Sequence, residues 1–424
     1  MKRVLNYSPR IFNKNISRSF SSSCDKKLGD FFKHYFESNL KFRNSADKFK
    51  CFRVMGSKGE ILNPEFENIP KELCLKIFTT MVQIKECDTR FNMAQREGKI
   101  SFYMTCTGEE ASTVSSIAAL SEEDMIFPQY REAACLLYRG YTIGEMANQL
   151  AGNEKDYGKG RQMPVHYGSR KLNYQTVSSP LCTQVPQASG AGYHFRVQKM
   201  DKIAVTYFGD GAASEGDFHP ALNFASVLRS QTLFFCRNNM YAISTPIDDQ
   251  YNGDGIAARG LAYGINTIRV DGNDVFAVYN AVKAARESIV KTGTPALIES
   301  MTYRCGDHST SDFSKMYRHE EEMKKWSEYL ETIGDPVSRF YSYLQNKSWI
   351  TENEYKDLVD DAKEQVRTGL KEALKCKKTS IDTLFDDVYE SVPHNLQEQR
   401  RQLREHLGKY AENYHLEQYT EKNN

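Results

Sequence analysis

An acid in a glycine-rich turn and a pair of asparagines further on are the residues of this chain best suited to do chemistry. The first cluster is Gly209-Asp210-Gly211-Ala212-Ala213-Ser214-Glu215-Gly216-Asp217; the second is Arg237-Asn238-Asn239. Residues 203–208, just ahead of the first cluster, are an apolar run that reads as a buried parallel strand, and 220–228 read as a helix. A second apolar run, 233–236, leads into Arg237. A separation of about 30 residues fits one strand–helix–strand unit. Both polar clusters then lie past the carboxyl ends of neighbouring strands, where open α/β sheets hold ligands. A carboxylate and a carboxamide there are hard oxygen donors suited to Mg2+ that keeps a phosphate as co-ligand. The glycines admit the phosphate to the backbone, and the helix after them offers its N-terminal N–H groups. The pattern predicts a diphosphate–Mg2+ site.

Three further clusters carry polar residues, the first of them in a segment otherwise patterned for burial. Phe127-Pro128-Gln129-Tyr130-Arg131-Glu132 places a guanidinium beside a phenol; by spacing alone it reads as a loop salt bridge. Residues 178–184 (Ser-Ser-Pro-Leu-Cys-Thr-Gln) read as a Ser/Thr-rich turn before a helix. Tyr303-Arg304-Cys305-Gly306-Asp307-His308-Ser309-Thr310-Ser311-Asp312 follows the last expected strand, and a lone histidine in such a loop is by default solvated.

The elements that must position these residues alternate. Strands are expected near 203–208, 233–236, 267–270 and 296–301, with helices between them, the clearest at 275–291. That order implies an α/β fold with a mostly parallel doubly wound sheet flanked by helices. Residues 71–97 carry apolar side chains at helical spacing (Leu73, Ile77, Met81, Ile84), and 109–119 and 143–150 also read as helices. Four regions are expected: a leader over 1–20, an extended arm over 21–70, the α/β domain over 71–320, and a charged helical region with a tail over 321–424.

Composition excludes several classes. The 424 residues hold 56 basic and 55 acidic side chains, a balance with no nucleic-acid footprint. No apolar run approaches membrane-spanning length, so no membrane partner is expected. Ten cysteines without Cys-x-x-Cys spacing suit reduced, mostly buried thiols. Before Asp25 the chain is basic (Lys2, Arg3, Arg10, Lys14, Arg18), serine-rich and free of acids, the composition of a mitochondrial transit peptide. Neither a Walker lysine nor a Gly-x-Gly-x-x-Gly turn follows the 203–208 strand, which makes a plain nucleotide-binding protein the weakest of the alternatives.

Gly209-Asp210-Gly211 answered by Asn238-Asn239 resembles the signature of thiamine-diphosphate enzymes. Over nearly all of residues 50–420 the chain is similar to alpha subunits of the decarboxylase component of 2-oxo acid dehydrogenase complexes. Phe52-Arg53-Val54-Met55, Ile100-Ser101-Phe102-Tyr103-Met104-Thr105, residues 158–167 (Gly-Lys-Gly-Arg-Gln-Met-Pro-Val-His-Tyr) and residues 251–260 carry a resemblance to the branched-chain class. Pyruvate-specific alpha subunits, the alternative, share the cofactor motif but usually differ at the second and third of these segments.

The resemblance implies that Asp210, Asn239 and the Tyr241 carbonyl bind Mg2+. It implies that Tyr130, Arg131, Ser179, Leu181, Gly211, Ala212, Glu215, Arg237 and His308 line the thiamine diphosphate site. Ser179 and Leu181 would lie on its aminopyrimidine side, and His308, Tyr130 and Ser179 at the reacting centre. Ser178, Pro180, Thr183 and Gln184 match a structural K+ site. Ser309 matches a kinase target beside His308, where a dianion would repel the diphosphate and disorder the loop. A second family phosphosite aligns with His319, and Cys305 and Asp307 also depart from the usual loop residues. The resemblance further implies a mitochondrial matrix protein, inactive without a beta subunit and assembled as two alpha and two beta chains. It would serve a lipoylated acyltransferase core under a dedicated kinase and phosphatase.

Overall fold

The computed structural model describes residues 48–329 and 335–421. The expected leader and most of the expected arm lie outside these residues. Six strands form one sheet: β1 (Cys51–Phe52), β2 (Met125–Phe127), β3 (Ala204–Gly209), β4 (Thr232–Asn238), β7 (Asn266–Asp271) and β8 (Ala296–Met301). Their spatial order is β1-β7-β8-β4-β3-β2, and every neighbouring pair is parallel. The two-stranded hairpin β5 (Tyr241–Ala242) and β6 (Thr245–Pro246) stands apart from this sheet. Strands β3, β4 and β8 carry near-continuous apolar runs because helices cover both faces of a parallel sheet, while β7 (Asn-Thr-Ile-Arg-Val-Asp) is more polar and only partly buried. Side chains along β4 are buried at all seven positions.

Helices Lys71–Arg96, Glu110–Ala118 and Val275–Thr292 share a core with the sheet that includes Ile77, Val205, Phe235 and Ile298. Helices Gln184–Val197 and Phe218–Leu228 pack against each other, and the first of them lies on β3 and β4. Val275–Thr292 is closed at both ends: Asp274 accepts from the Phe276 and Ala277 N–H groups, and Gly293 ends it in the left-handed conformation.

Two expected boundaries move. The arm expected to end at residue 70 contributes β1 to the main sheet, and Val54 and Met55 are fully buried in its core. Asp274 fixes this entry by accepting from both the Val54 and Met55 N–H groups at 2.7 Å. The expected division near residue 320 is not a packing boundary either. Helices Pro336–Asn346 and Glu352–Lys375 pack on Lys71–Arg96, and Phe340, Leu344 and Val366 belong to the same core. Residues 49–424 form one compact unit. Strands β1 and β2 escape sequence reading because two or three residues cannot display a period.

Candidate active site

The register of the sheet sets the site. Gly209 pairs with Arg237 and Asn238 pairs with Met301, so β3, β4 and β8 end side by side. Beyond those ends lie Asp210, Asn239 and the loop carrying His308. The ladder continues past the strands: Thr302 N–H donates to the Asn238 carbonyl at 2.8 Å, and Arg304 N–H to that of Asn239 at 3.3 Å. β2 ends at the same edge and supplies Gln129, whose Oε1 accepts from the Gly209 N–H at 2.6 Å.

Asp210 is 1% exposed, and burial raises its carboxyl above the ordinary range. Gln250 Nε2 donates to it at 2.8 Å, while Gln250 Oε1 is buried without a partner. Asn239 donates to Glu109 Oε1 at 2.7 Å and accepts from the Tyr241 N–H at 3.3 Å. A Cβ added to Gly211 would meet that of Ala242 at 2.6 Å, so only glycine lets the acid turn seat against the β5–β6 hairpin. Asp210 and Asn239 thus lie just past the ends of neighbouring strands, and the Tyr241 backbone follows Asn239 in the same segment. Met240 and Ile243 flank the turn at φ 71° and 54°, strained values for non-glycine residues. Arg304 Nη2 holds the Ile243 carbonyl at 2.6 Å, which pins the strained turn.

Arg237 is engaged by carboxylates on two sides. Its guanidinium is buried between Glu109, at 2.6 Å, and Glu132, with Gln129 Oε1 at 3.5 Å from Nη2. Burial alone would raise the Glu109 carboxyl. Arg237, Arg131 and the hydrogen bonds from Asn239 and Arg237 outweigh it and hold that carboxyl below its ordinary value. Arg131 Nη2 donates to the His308 carbonyl at 2.8 Å, and its Nη1 to that of Thr105. Tyr130 Oη lies 3.3 Å from His308 Nε2. Burial, with Arg131 and Arg304 adding like charge, drives His308 down to about 3. It is therefore neutral at physiological pH, free to accept or donate one proton through hydrogen bonds. Asp312 accepts from the His308 N–H at 2.7 Å and fixes the loop. Ser309 is buried there, 8% exposed.

Ser179 is exposed and sits 2.6 Å from His166 Nε2. Ser178, Pro180 and Thr183 meet in one turn, where Thr183 Oγ1 lies 3.0 Å from Ser178 Oγ and 3.1 Å from the Pro180 carbonyl. Gln184 joins them in sequence, but its amide Nε2 reaches back to the Tyr207 carbonyl at 2.9 Å. Ala212 is buried in the turn after Asp210, while Leu181 and Glu215 are exposed. Sequence reading missed Glu109, Gln129, Gln250 and His166. For Glu109 the local signal was Gly108-Glu109-Glu110, adjacent acids opening a helix rich in Ala, Ser and Thr; Gln129 stands inside the 127–132 cluster and His166 inside the 158–167 segment. Among the described residues no group of three or more His, Cys, Asp or Glu side chains is arranged to hold a metal.

A parallel sheet that brings a carboxylate and a carboxamide together from consecutive strand ends, with a neutral histidine on the same edge, defines a cofactor-dependent α/β enzyme. The chain belongs to the dehydrogenase E1 component family, whose model matches residues 79–382. Membership implies thiamine diphosphate as cofactor. The chain is 46% identical over 382 residues to the mitochondrial 2-oxoisovalerate dehydrogenase subunit alpha 2 of Arabidopsis thaliana, covering 89% of this chain and 80% of that protein. It is 45% identical to the corresponding alpha subunit of Dictyostelium discoideum over 421 residues, covering 99% and 93%. The Homo sapiens alpha subunit matches at 45% over 405 residues, covering 95% and 90%.

Proposed function

We infer that this chain is the alpha subunit of a branched-chain 2-oxo acid dehydrogenase, acting in the mitochondrial matrix in branched-chain amino acid breakdown. The reaction is oxidative decarboxylation of 3-methyl-2-oxobutanoate and its leucine- and isoleucine-derived analogues, with transfer of the acyl group to a lipoyl carrier. The observation that carries this reading is the convergence of Asp210, Asn239 and the Tyr241 backbone beside a neutral His308, in a chain whose long matches are named 2-oxoisovalerate dehydrogenase alpha subunits.

The donor set fits Mg2+. One carboxylate, one carboxamide and one carbonyl are hard ligands that leave room for water and phosphate oxygens. Burial disfavours the Asp210 carboxylate, and a divalent cation would offset that penalty. The oxygens of Ser178, Pro180 and Thr183 suit a weakly polarising K+, which would brace the turn presenting Ser179 and Leu181.

When bound, thiamine diphosphate supplies the electron sink for loss of CO2. The chain's own part is to hold and orient. Gly211 and Ala212 give the diphosphate a close backbone approach, and the exposed Glu215 borders that loop. Glu109 fixes the Asn239 amide so that its oxygen, which already accepts from Tyr241 N–H, keeps its aim. Arg237 holds Glu109 and Glu132 in register beneath the site. Arg131 ties the His308 backbone to the Thr105 loop, and Tyr130 braces the imidazole. A neutral His308 can then polarise a substrate carbonyl or relay a proton without burying a charge.

Alpha-subunit naming of the relatives supports a beta-subunit partner, and the surface of this chain supports it too. On the helices flanking the cofactor loop, Phe224 and Val227 are 62% and 72% exposed, and Val197 is 51% exposed. A Cβ on Gly190 or Gly216 would meet nothing within 4 Å. Large exposed side chains beside open glycines suit close packing by a second chain. The complete particle would contain two alpha and two beta chains and deliver its acyl group to a lipoylated acyltransferase core. Co-expression with candidate beta subunits tests the reading. Reconstituted enzyme should turn over 3-methyl-2-oxobutanoate faster than pyruvate; a preference for pyruvate would reject it.

A further inference from the structure

His166 is buried 13 residues ahead of Ser179, and its ring is held at both nitrogens. Nδ1 lies 3.1 Å from the Pro164 carbonyl oxygen, and Nε2 lies 2.6 Å from Ser179 Oγ. A carbonyl only accepts, so in the neutral imidazole Nδ1 carries the proton. Nε2 is then an acceptor, and Ser179 must donate to it. A serine hydroxyl has one proton. Once that proton is committed to His166, Ser179 offers only lone pairs to whatever lies above it, and Ser179 is exposed.

The backbone around His166 is built to keep this direction. Val165, a β-branched residue, is held at φ 66°, in the left-handed region. Gln149 on helix Ile143–Ala151 clamps it from both sides of its amide: Oε1 accepts from the Val165 N–H at 3.0 Å, and Nε2 donates to the Met163 carbonyl at 2.7 Å. Such strain persists only where surrounding bonds over-determine it, as they do here.

We propose that His166 is a positioning residue that locks the Ser179 hydroxyl as a hydrogen-bond acceptor, so that the site selects the exocyclic amine of the cofactor's pyrimidine over a carbonyl at the same position. This rests on the reading that Ser179 faces the aminopyrimidine. A hydroxyl free to rotate would meet an amine or a carbonyl equally well. A locked one meets a carbonyl with lone pair against lone pair, leaving two acceptors unsatisfied. A histidine that only held the loop together would affect both ligands alike.

The test compares thiamine diphosphate with oxythiamine diphosphate, its 4′-oxo analogue, titrated with Mg2+ into the co-expressed alpha–beta heteromer. His166→Ala should lower the ratio of the two affinities roughly tenfold, chiefly by improving the relative binding of the oxo analogue. His166→Gln, whose side-chain oxygen can accept the serine proton, should keep the wild-type ratio. Where His166→Ala does not assemble, the shorter His166→Asn carries the same comparison. An unchanged ratio in these variants, with Ser179→Ala lowering it, overturns the role of His166 and leaves the reading of Ser179 standing. An unchanged ratio in Ser179→Ala as well overturns that reading itself.

Discussion

Arg237 lies 2.6 Å from Glu109, and both side chains are 1% exposed. Glu132 takes the other side of the same guanidinium. Removing the cation leaves two carboxylates buried without their counter-ion, a loss of about 3–5 kcal/mol when one partner of a buried pair is deleted. Arg237→Met should therefore lower the denaturation midpoint sharply in chemical unfolding of the heteromer. A midpoint within experimental error of wild type would show that the triad does not hold the sheet edge together.

Glu110, next to Glu109, behaves in the opposite way. Burial first, then the charge of Asp335, lifts its carboxyl to about 8, so it is protonated at neutral pH. In the unfolded chain the same group ionises near 4.5. Between those values the unfolded state gains by ionising and the native state does not, so this group's contribution to stability falls as pH rises. Glu110→Gln should flatten the decline in melting temperature between pH 5 and pH 8, with the largest gain over wild type at pH 8. Parallel melting curves for the two proteins across that range would rule out a buried neutral Glu110.

Ser309 is buried within a loop tied down by Arg131, Thr310 and Asp312. Thr310 N–H donates to the Tyr103 carbonyl at 3.0 Å, and Thr310 Oγ1 accepts from the Tyr103 N–H at 3.0 Å. A carboxylate at position 309 cannot stay buried in that setting without a large desolvation cost. Ser309→Glu should open the loop, cut turnover at least about a hundredfold through loss of His308 alignment, and expose residues 303–312 to protease. Full turnover, or an unchanged cleavage pattern, would exclude phosphorylation there as a switch.

The strand ends that carry Asp210 and Asn239 were legible in the sequence because one βαβ unit contains them. Continuous apolar runs gave β3, β4 and β8, and the glycine turn and paired asparagines sit directly after two of them. What stayed hidden depends on contacts across the chain. Glu109 reaches Arg237 over 128 residues and Glu132 over 105, and nothing in local spacing announces either pair. The two carboxylates that flank Arg237 come from the Glu110–Ala118 helix cap and the loop after β2, and nothing near Arg237 in the sequence points to them. The neutral state of His308 follows first from its burial, then from Arg131, which arrives from the end of β2, and from Arg304 of its own loop. His166 and Ser179 are near in sequence, but the direction of their hydrogen bond depends on the Pro164 carbonyl, which only the fold supplies.

The most direct test of the account is calorimetric titration of thiamine diphosphate into the purified alpha–beta heteromer, with and without Mg2+. Wild type should take up the cofactor only when the cation is present. Asp210→Ala and Asn239→Ala should lose that uptake by roughly a hundredfold or more in affinity while keeping the wild-type circular dichroism spectrum. Metal-independent binding by the wild-type heteromer, or undiminished binding by both variants, would contradict it.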